Sequence, residues 1–204
     1  MKLDGLVANA AAKGASELAK NKGLELVFLE SYPNGTTDFS GILNKVKAAT
    51  PDVLMAASVR LEDLVAITRQ MREVDLNVKM LSSVPYGLLP DYYKQLGKEA
   101  EYVYSGSFWE TTLRSAGNQE FVAAYEKEFN RIPAVQSTAS YAGCRLFVEA
   151  VRRTGSLDSH KLRAALLTLR TKTVLGDFAV DERGFQTAQK AITIQWQDGK
   201  QVVV

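Results

Sequence analysis

The sequence predicts an α/β fold, a parallel sheet with helices on both faces, finished by a β-hairpin. Three observations predict it. Three units in a row pair an apolar run with an amphipathic stretch, the order that strand–helix–strand units produce. The apolar runs lack polar alternation, as strands covered on both faces do. Near the end, Asp198-Gly199 stands between two β-prone runs, a strong type I′ turn signal.

The first element is helical. Residues about 9 to 22 are rich in Ala and Lys, and Gly23 supplies a helix stop. No strand is evident before Ala10, so the parallel sheet is expected to open at Leu24 to Leu29, a run interrupted only by Glu25. Tyr32-Pro33-Asn34-Gly35 turns the chain. Thr37 or Asp38 then caps a helix whose Phe39, Ile42, Leu43 and Val46 fall on one stripe. Val53 to Ala57 is the next buried strand, and Leu61, Leu64, Val65, Thr68 and Met71 repeat the helical spacing.

Val78 to Leu81 predicts a short strand, with an irregular loop through Pro85, Gly87 and Pro90 before Tyr92 to Leu96. A strand at Tyr102 to Tyr104 precedes a helix marked by Phe121, Val122, Tyr125 and Phe129. From Gln136 to Arg153 a long helix presents Ala139, Gly143, Leu146, Phe147 and Ala150 on one face, and Gly155 ends it. Asp158 or Ser159 caps a further helix, and Ile192, Ile194 and Trp196 alternate in the last hairpin. The change of composition after residue 135 divides the chain into a 1–135 domain and a 136–204 segment.

With 25 basic and 23 acidic residues dispersed along 204, no basic footprint for nucleic acid or an anionic membrane stands out. No run approaches the roughly 20 apolar residues that cross a bilayer, and Met1-Lys2-Leu3-Asp4 does not open a secretory signal. A lone cysteine, Cys144, excludes an internal disulfide and zinc sites of the two-Cys or four-Cys kind; it reads as a packed small residue. His160 has no second imidazole with which to share a metal. Phosphate loops and nucleophile elbows are absent, and Glu62-Asp63 and Asp181-Glu182 read as helix-face and turn charges. No catalytic residue, metal or cofactor is expected. The late opening of the sheet and the last strand stopping at Val204 point to a chain that starts and ends inside a longer protein.

Binding chemistry is concentrated where the apolar runs end, in Ser58-Val59-Arg60, Ser83-Val84-Pro85-Tyr86 and Phe108-Trp109-Glu110. Open α/β sheets take ligands just outside the carboxyl ends of their strands. Arg60 suits a bidentate pair with a carboxylate, Ser58, Ser83 and Tyr86 offer hydroxyls, and Phe108 with Trp109 can stack on an apolar or aromatic body. Each has a plainer reading. The serines end strands, Arg60 starts a helix in solvent, and adjacent aromatics cover a core edge.

Tyr32 to Ser40, Pro51-Asp52-Val53-Leu54 and Gln195-Trp196-Gln197-Asp198-Gly199-Lys200 together resemble the solute-binding proteins of branched-chain amino-acid-type ABC transporters, in order and spacing from Gly14 to the end. The resemblance implies a periplasmic-binding-protein fold whose two α/β lobes close on a small solute, an amino acid or small aromatic carboxylate, and deliver it to a membrane permease outside the cytoplasm. It implies that 1–135 is the second lobe, incomplete at its start, and that the later helices and the hairpin belong to the first. It further places Tyr141 near the hinge or cleft mouth, where a packed helix tyrosine is the plainer reading. A ligand-sensing regulatory module of the same fold is the alternative, and a flavodoxin-like enzyme is a weaker one. Sheet edges left bare by missing strands are expected to pair with a second copy.

Overall fold

The computed structural model describes all 204 residues, which divide into two compact units, Met1–Gly106 with Thr193–Val204, and Ser107–Ile192. Strands β1 (Lys2–Leu3), β2 (Ser31–Tyr32), β3 (Val53–Ser58), β4 (Met80–Pro85), β5 (Tyr104–Ser107), β8 (Ile192–Gln197) and β9 (Lys200–Val203) form one sheet in the order β2-β1-β3-β4-β5-β8-β9. The pairings among β1 to β5 are parallel, and β8 and β9 are antiparallel.

Helices α1 (Leu6–Asn21), α2 (Ser40–Ala48), α3 (Leu61–Glu73) and α4 (Pro90–Leu96) connect these parallel strands. From β1 the chain moves outward to β2; every later crossover moves the other way. Right-handed crossovers therefore set α1 on one face and α2 to α4 on the other. Consistent with this, α2 packs on α3 and α3 on α4.

The α2 stripe closes the core as its spacing predicts, with Phe39, Leu43 and Val46 fully buried beside Leu64 and Ile67 of α3. Asp38 does not sit at the cap; Phe39 does, and the Asp38 carboxylate accepts the Ser40 N–H at 2.9 Å. At the hairpin, Asp198 and Gly199 both take positive φ, 50° and 74°, as a type I′ turn demands.

Several expectations are corrected. A strand does exist before Ala10, since β1 pairs with both β2 and β3. Leu24–Leu29 is not a strand, and Leu24, Leu26, Val27 and Leu29 are exposed. The parallel register Lys2↔Ser31 leaves residues before Glu30 no backbone of β1 to bond. The strand expected at Val78 runs instead from Met80 to Pro85, and Pro90 starts α4 at its first turn, where a missing N–H costs nothing. The compact units break at 106 and 192, and the hairpin extends the main sheet beside β5.

The second unit holds α5 (Asn118–Phe129), α6 (Val135–Thr154), α7 (Ser159–Thr168) and a two-stranded sheet of β6 (Thr171–Thr173) and β7 (Gly176–Phe178). Gly155 at φ 59° ends α6, and the Asp158 carboxylate caps α7 by accepting the Lys161 N–H at 3.0 Å. The buried residues of α6 are Thr138, Ala142 and Ala150; of the expected stripe Ala150 is buried, Ala139 and Leu146 are half-buried, and Gly143 and Phe147 are exposed.

Candidate functional site

Strand order reverses between β1 and β3, since the chain leaves β1 toward one edge and β3 toward the other. At that point helices diverge to opposite faces and leave a crevice at the carboxyl ends of the strands. Asp4 and Gly5 end β1 there, and Ser58, Val59 and Arg60 end β3. Gly5 is the N-cap of α1 and offers no side chain, and no acid lies in the first turn. The first N–H groups of a 16-residue helix therefore meet the crevice with no side-chain cap.

Arg60 is anchored from beneath. Its Nε donates to Asp63 Oδ1 at 3.1 Å and its Nη1 to Asn34 Oδ1 at 3.2 Å. Asp63 is 3% exposed, and its other oxygen accepts from Ser58 Oγ at 2.8 Å and Tyr32 OH at 3.3 Å. Burial first, then the Asp63 charge, pushes the Tyr32 phenol well above its usual range, so it remains a donor at any physiological pH. One buried carboxylate thus gathers three donors and fixes the guanidinium, whose side chain is 41% exposed. The helix-face reading of Asp63 is corrected here: α3 turns it inward beneath Arg60.

Ser58 and Ser83 are buried and spend their hydroxyls internally, Ser58 on Asp63 and Ser83 at 3.2 Å from Tyr92 OH. Ser58 stands opposite Pro85 in the β3–β4 register, so Tyr86 leaves the same sheet end as Arg60, half-buried against the core. Tyr86–Leu88 forms a 3₁₀ turn packed so closely on β4 that a Cβ on Gly87 would lie 2.6 Å from Ser83 Cβ. Replacing Gly87 by alanine is expected to cost about 2 kcal/mol through overpacking, read as a lowered denaturation midpoint at unchanged m-value.

In the second unit, Trp109 is 4% exposed and donates its indole N–H to Asn118 Oδ1 at 2.7 Å, whereas Phe108 is 41% exposed. Asn118 also donates to the Leu113 carbonyl at 2.8 Å, knitting the turn before α5. Tyr141 is partly exposed, lies 4.6 Å from the Phe121 ring centroid, and lines a cleft of about 240 Å³ with Arg145, Arg152 and Lys172. Burial raises the Glu110 carboxyl, but hydrogen bonds from Thr111 and Thr112 outweigh it and leave the carboxyl below the usual range. Glu110 therefore contributes stability that is complete above the ordinary glutamate value and is lost as pH falls through its lower folded value. Thermal melts between pH 6 and pH 3 should show a shallower acid slope for Glu110→Gln than for the native chain.

Ser58, Arg60, Ser83 and Tyr86, the candidates read from the sequence, all stand at the carboxyl ends of β3 and β4. Phe108, Trp109 and Tyr141 lie in the second unit. Sequence reasoning missed Asp63, which holds Arg60, Tyr32, which donates to Asp63, and the exposed apolar residues that follow β1 and β3 at the same sheet end, Leu6 and Val7 in the first turn of α1 and Val59 after β3. Locating β1 would have found Leu6 and Val7.

Residues 4–201 match the periplasmic binding protein family. The Leu/Ile/Val-binding protein homolog 7 of Brucella suis is 27% identical over 98% of this chain and 53% of its own length, so the chain spans about half of the curated relatives it matches. The leucine-binding protein LivK of Thermotoga maritima superposes with a TM-score of 0.86 at 16% identity, covering 100% of this chain and 59% of that one. A solute-binding protein of Rhodopseudomonas palustris BisB5, solved with 3,4-dihydroxybenzoic acid, gives a TM-score of 0.77 at 26% identity over 98% of this chain and 57% of its own. These relatives are binding proteins, not enzymes. With nearly every residue inside the match, the chain belongs to the periplasmic binding protein family.

Proposed function

We propose that the chain forms the binding wall of an extracytoplasmic solute receptor for an ABC importer, taking a small carboxylate with an apolar body. The observation that carries this is Arg60, a guanidinium fixed by buried Asp63 at the strand-order reversal. The uncapped start of α1 beside it favours an anion, and Leu6, Val7 and Val59 on the same sheet end suit an aliphatic chain or aromatic ring. Tyr86 contacts the solute from β4, with Ser58 and Ser83 holding the strand ends behind it. Phe108, Trp109 and Tyr141 serve the same receptor from their own unit, Phe108 as the exposed ring. Relatives that bind isoleucine and benzoate fall on either side of this chemistry. Closure of two lobes and delivery to a permease belong to the same proposal, as does a periplasmic location for the whole protein.

Calorimetric titration with L-isoleucine, L-leucine, benzoate and benzamide tests it. Heat of binding for at least one carboxylate and none for benzamide is the expected result; no response to any carboxylate sinks the reading. The bare leucines of 24–29 also favour pairing with a second copy. Light scattering should then give a dimer mass that falls to the monomer in Leu26→Asp.

A further inference from the structure

The C-terminal hairpin is tied to the turn that carries Tyr86 more closely than a sheet edge requires. Trp196 of β8 is 5% exposed and donates its indole N–H to the Gly87 carbonyl at 2.7 Å. Gln201 of β9 donates its amide to the next carbonyl, that of Leu88. From the opposite side Ser83 leaves no room for a Cβ on Gly87, and Ser105 Oγ holds the Ser83 carbonyl at 2.8 Å. The turn is therefore gripped between β4 and the hairpin.

The hairpin tip is fixed in the same way. The Glu101 carboxylate accepts from the Asp198 and Gly199 N–H groups, each at 2.9 Å, and from Tyr93 OH at 2.7 Å. Tyr93 lies on α4, the helix after the turn, and its ring is 4.9 Å from that of Trp196. A buried indole N–H needs an acceptor, and here it takes a main-chain carbonyl one residue from Tyr86. Shifting the hairpin thus shifts Tyr86.

We propose that Trp196 is a positioning residue for the solute site, holding the Tyr86–Leu88 turn so that Tyr86 meets the ligand in one orientation. This rests on the solute-binding reading above. Trp196→Phe keeps a buried ring and removes the N–H; Glu101→Gln loosens the tip without entering the core. In both, exchange of the Leu89 amide, which donates to the Tyr86 carbonyl at 3.0 Å, should quicken by about tenfold. Benzoate affinity should weaken by about fivefold, and that loss should vanish in a Tyr86→Ala background. Unchanged Leu89 exchange overturns the proposal, as does an affinity loss that persists in full without Tyr86. If Leu89 exchange quickens but the native chain binds no benzoate, the positioning role falls with the solute reading and the grip on the turn stands.

Discussion

Arg60→Ala is expected to weaken carboxylate binding by about 30-fold while leaving the fold intact. Truncating one partner of a hydrogen-bonded charge pair costs about 2 kcal/mol at the lower end of the usual range, which suits a guanidinium that is partly open to water. The alanine chain retains Ser58 Oγ and Tyr32 OH as donors to Asp63, so the buried carboxylate keeps two of its three partners. Stability should therefore fall by only about 1 kcal/mol. Arg60→Lys separates charge from geometry. A lysine restores attraction but not the planar fork that reaches Asp63 and the ligand together, and about tenfold of the loss should remain. Calorimetry on the three chains, with benzoate and isoleucine as probes, checks the order. Equal affinities in all three would remove Arg60 from the site.

The parts of the fold that are legible in the sequence are those whose signal is local. The α2 stripe arises from helical spacing alone, and that spacing picks out all three residues that the helix and its N-cap bury fully, Phe39, Leu43 and Val46. Asp198-Gly199 specifies its turn because two successive positive φ angles exclude most other residues. The illegible parts depend on partners distant in the chain. Leu24–Leu29 has the composition of a buried strand, yet strand formation needs a ladder, and the two residues of β1 supply one only from Glu30 onward. Membership of the hairpin in the main sheet is equally illegible, since nothing in residues 192–204 records which edge they join.

The site divides along the same line. Arg60 and Tyr86 of the proposed site come from looking just past the end of an apolar run, because a parallel strand delivers its next residues to the carboxyl edge of the sheet, where open α/β folds take ligands. Burial of Asp63 is not visible that way. Glu62 and Asp63 are adjacent acids in the first turn of α3, and only helix phase decides that Glu62 faces water and Asp63 faces Ser58. The apolar stripe carries that phase. Leu64, Ile67 and Met71 define the inner face, and Asp63 flanks it one residue before Leu64. A buried acid beside a core stripe at the end of a strand is thus a signal for an anchored cation nearby.

Phe39→Ala should be among the most destabilising single substitutions in the first unit, costing about 4 kcal/mol and lowering Tm by about 10 °C. The side chain is fully buried between α2 and the sheet, and its ring meets Tyr32 edge to face, with centroids 4.9 Å apart. Alanine leaves a void of ring size in a close-packed core, and the α2 start is already tied down through Phe39 N–H to Gln70 Oε1 at 2.6 Å, which limits collapse into the gap. Phe39→Leu fills most of that void and should cost about 1 kcal/mol. The consequence extends to binding, since Tyr32 carries the contact onward to Asp63 and Asp63 to Arg60. At a temperature where Phe39→Ala is still fully folded, its affinity for benzoate should fall by about threefold, and Phe39→Leu should restore it. Loss of stability with unchanged affinity would show that Tyr32 holds its place without the ring beneath it, and that Arg60 is fixed by its hydrogen bonds alone.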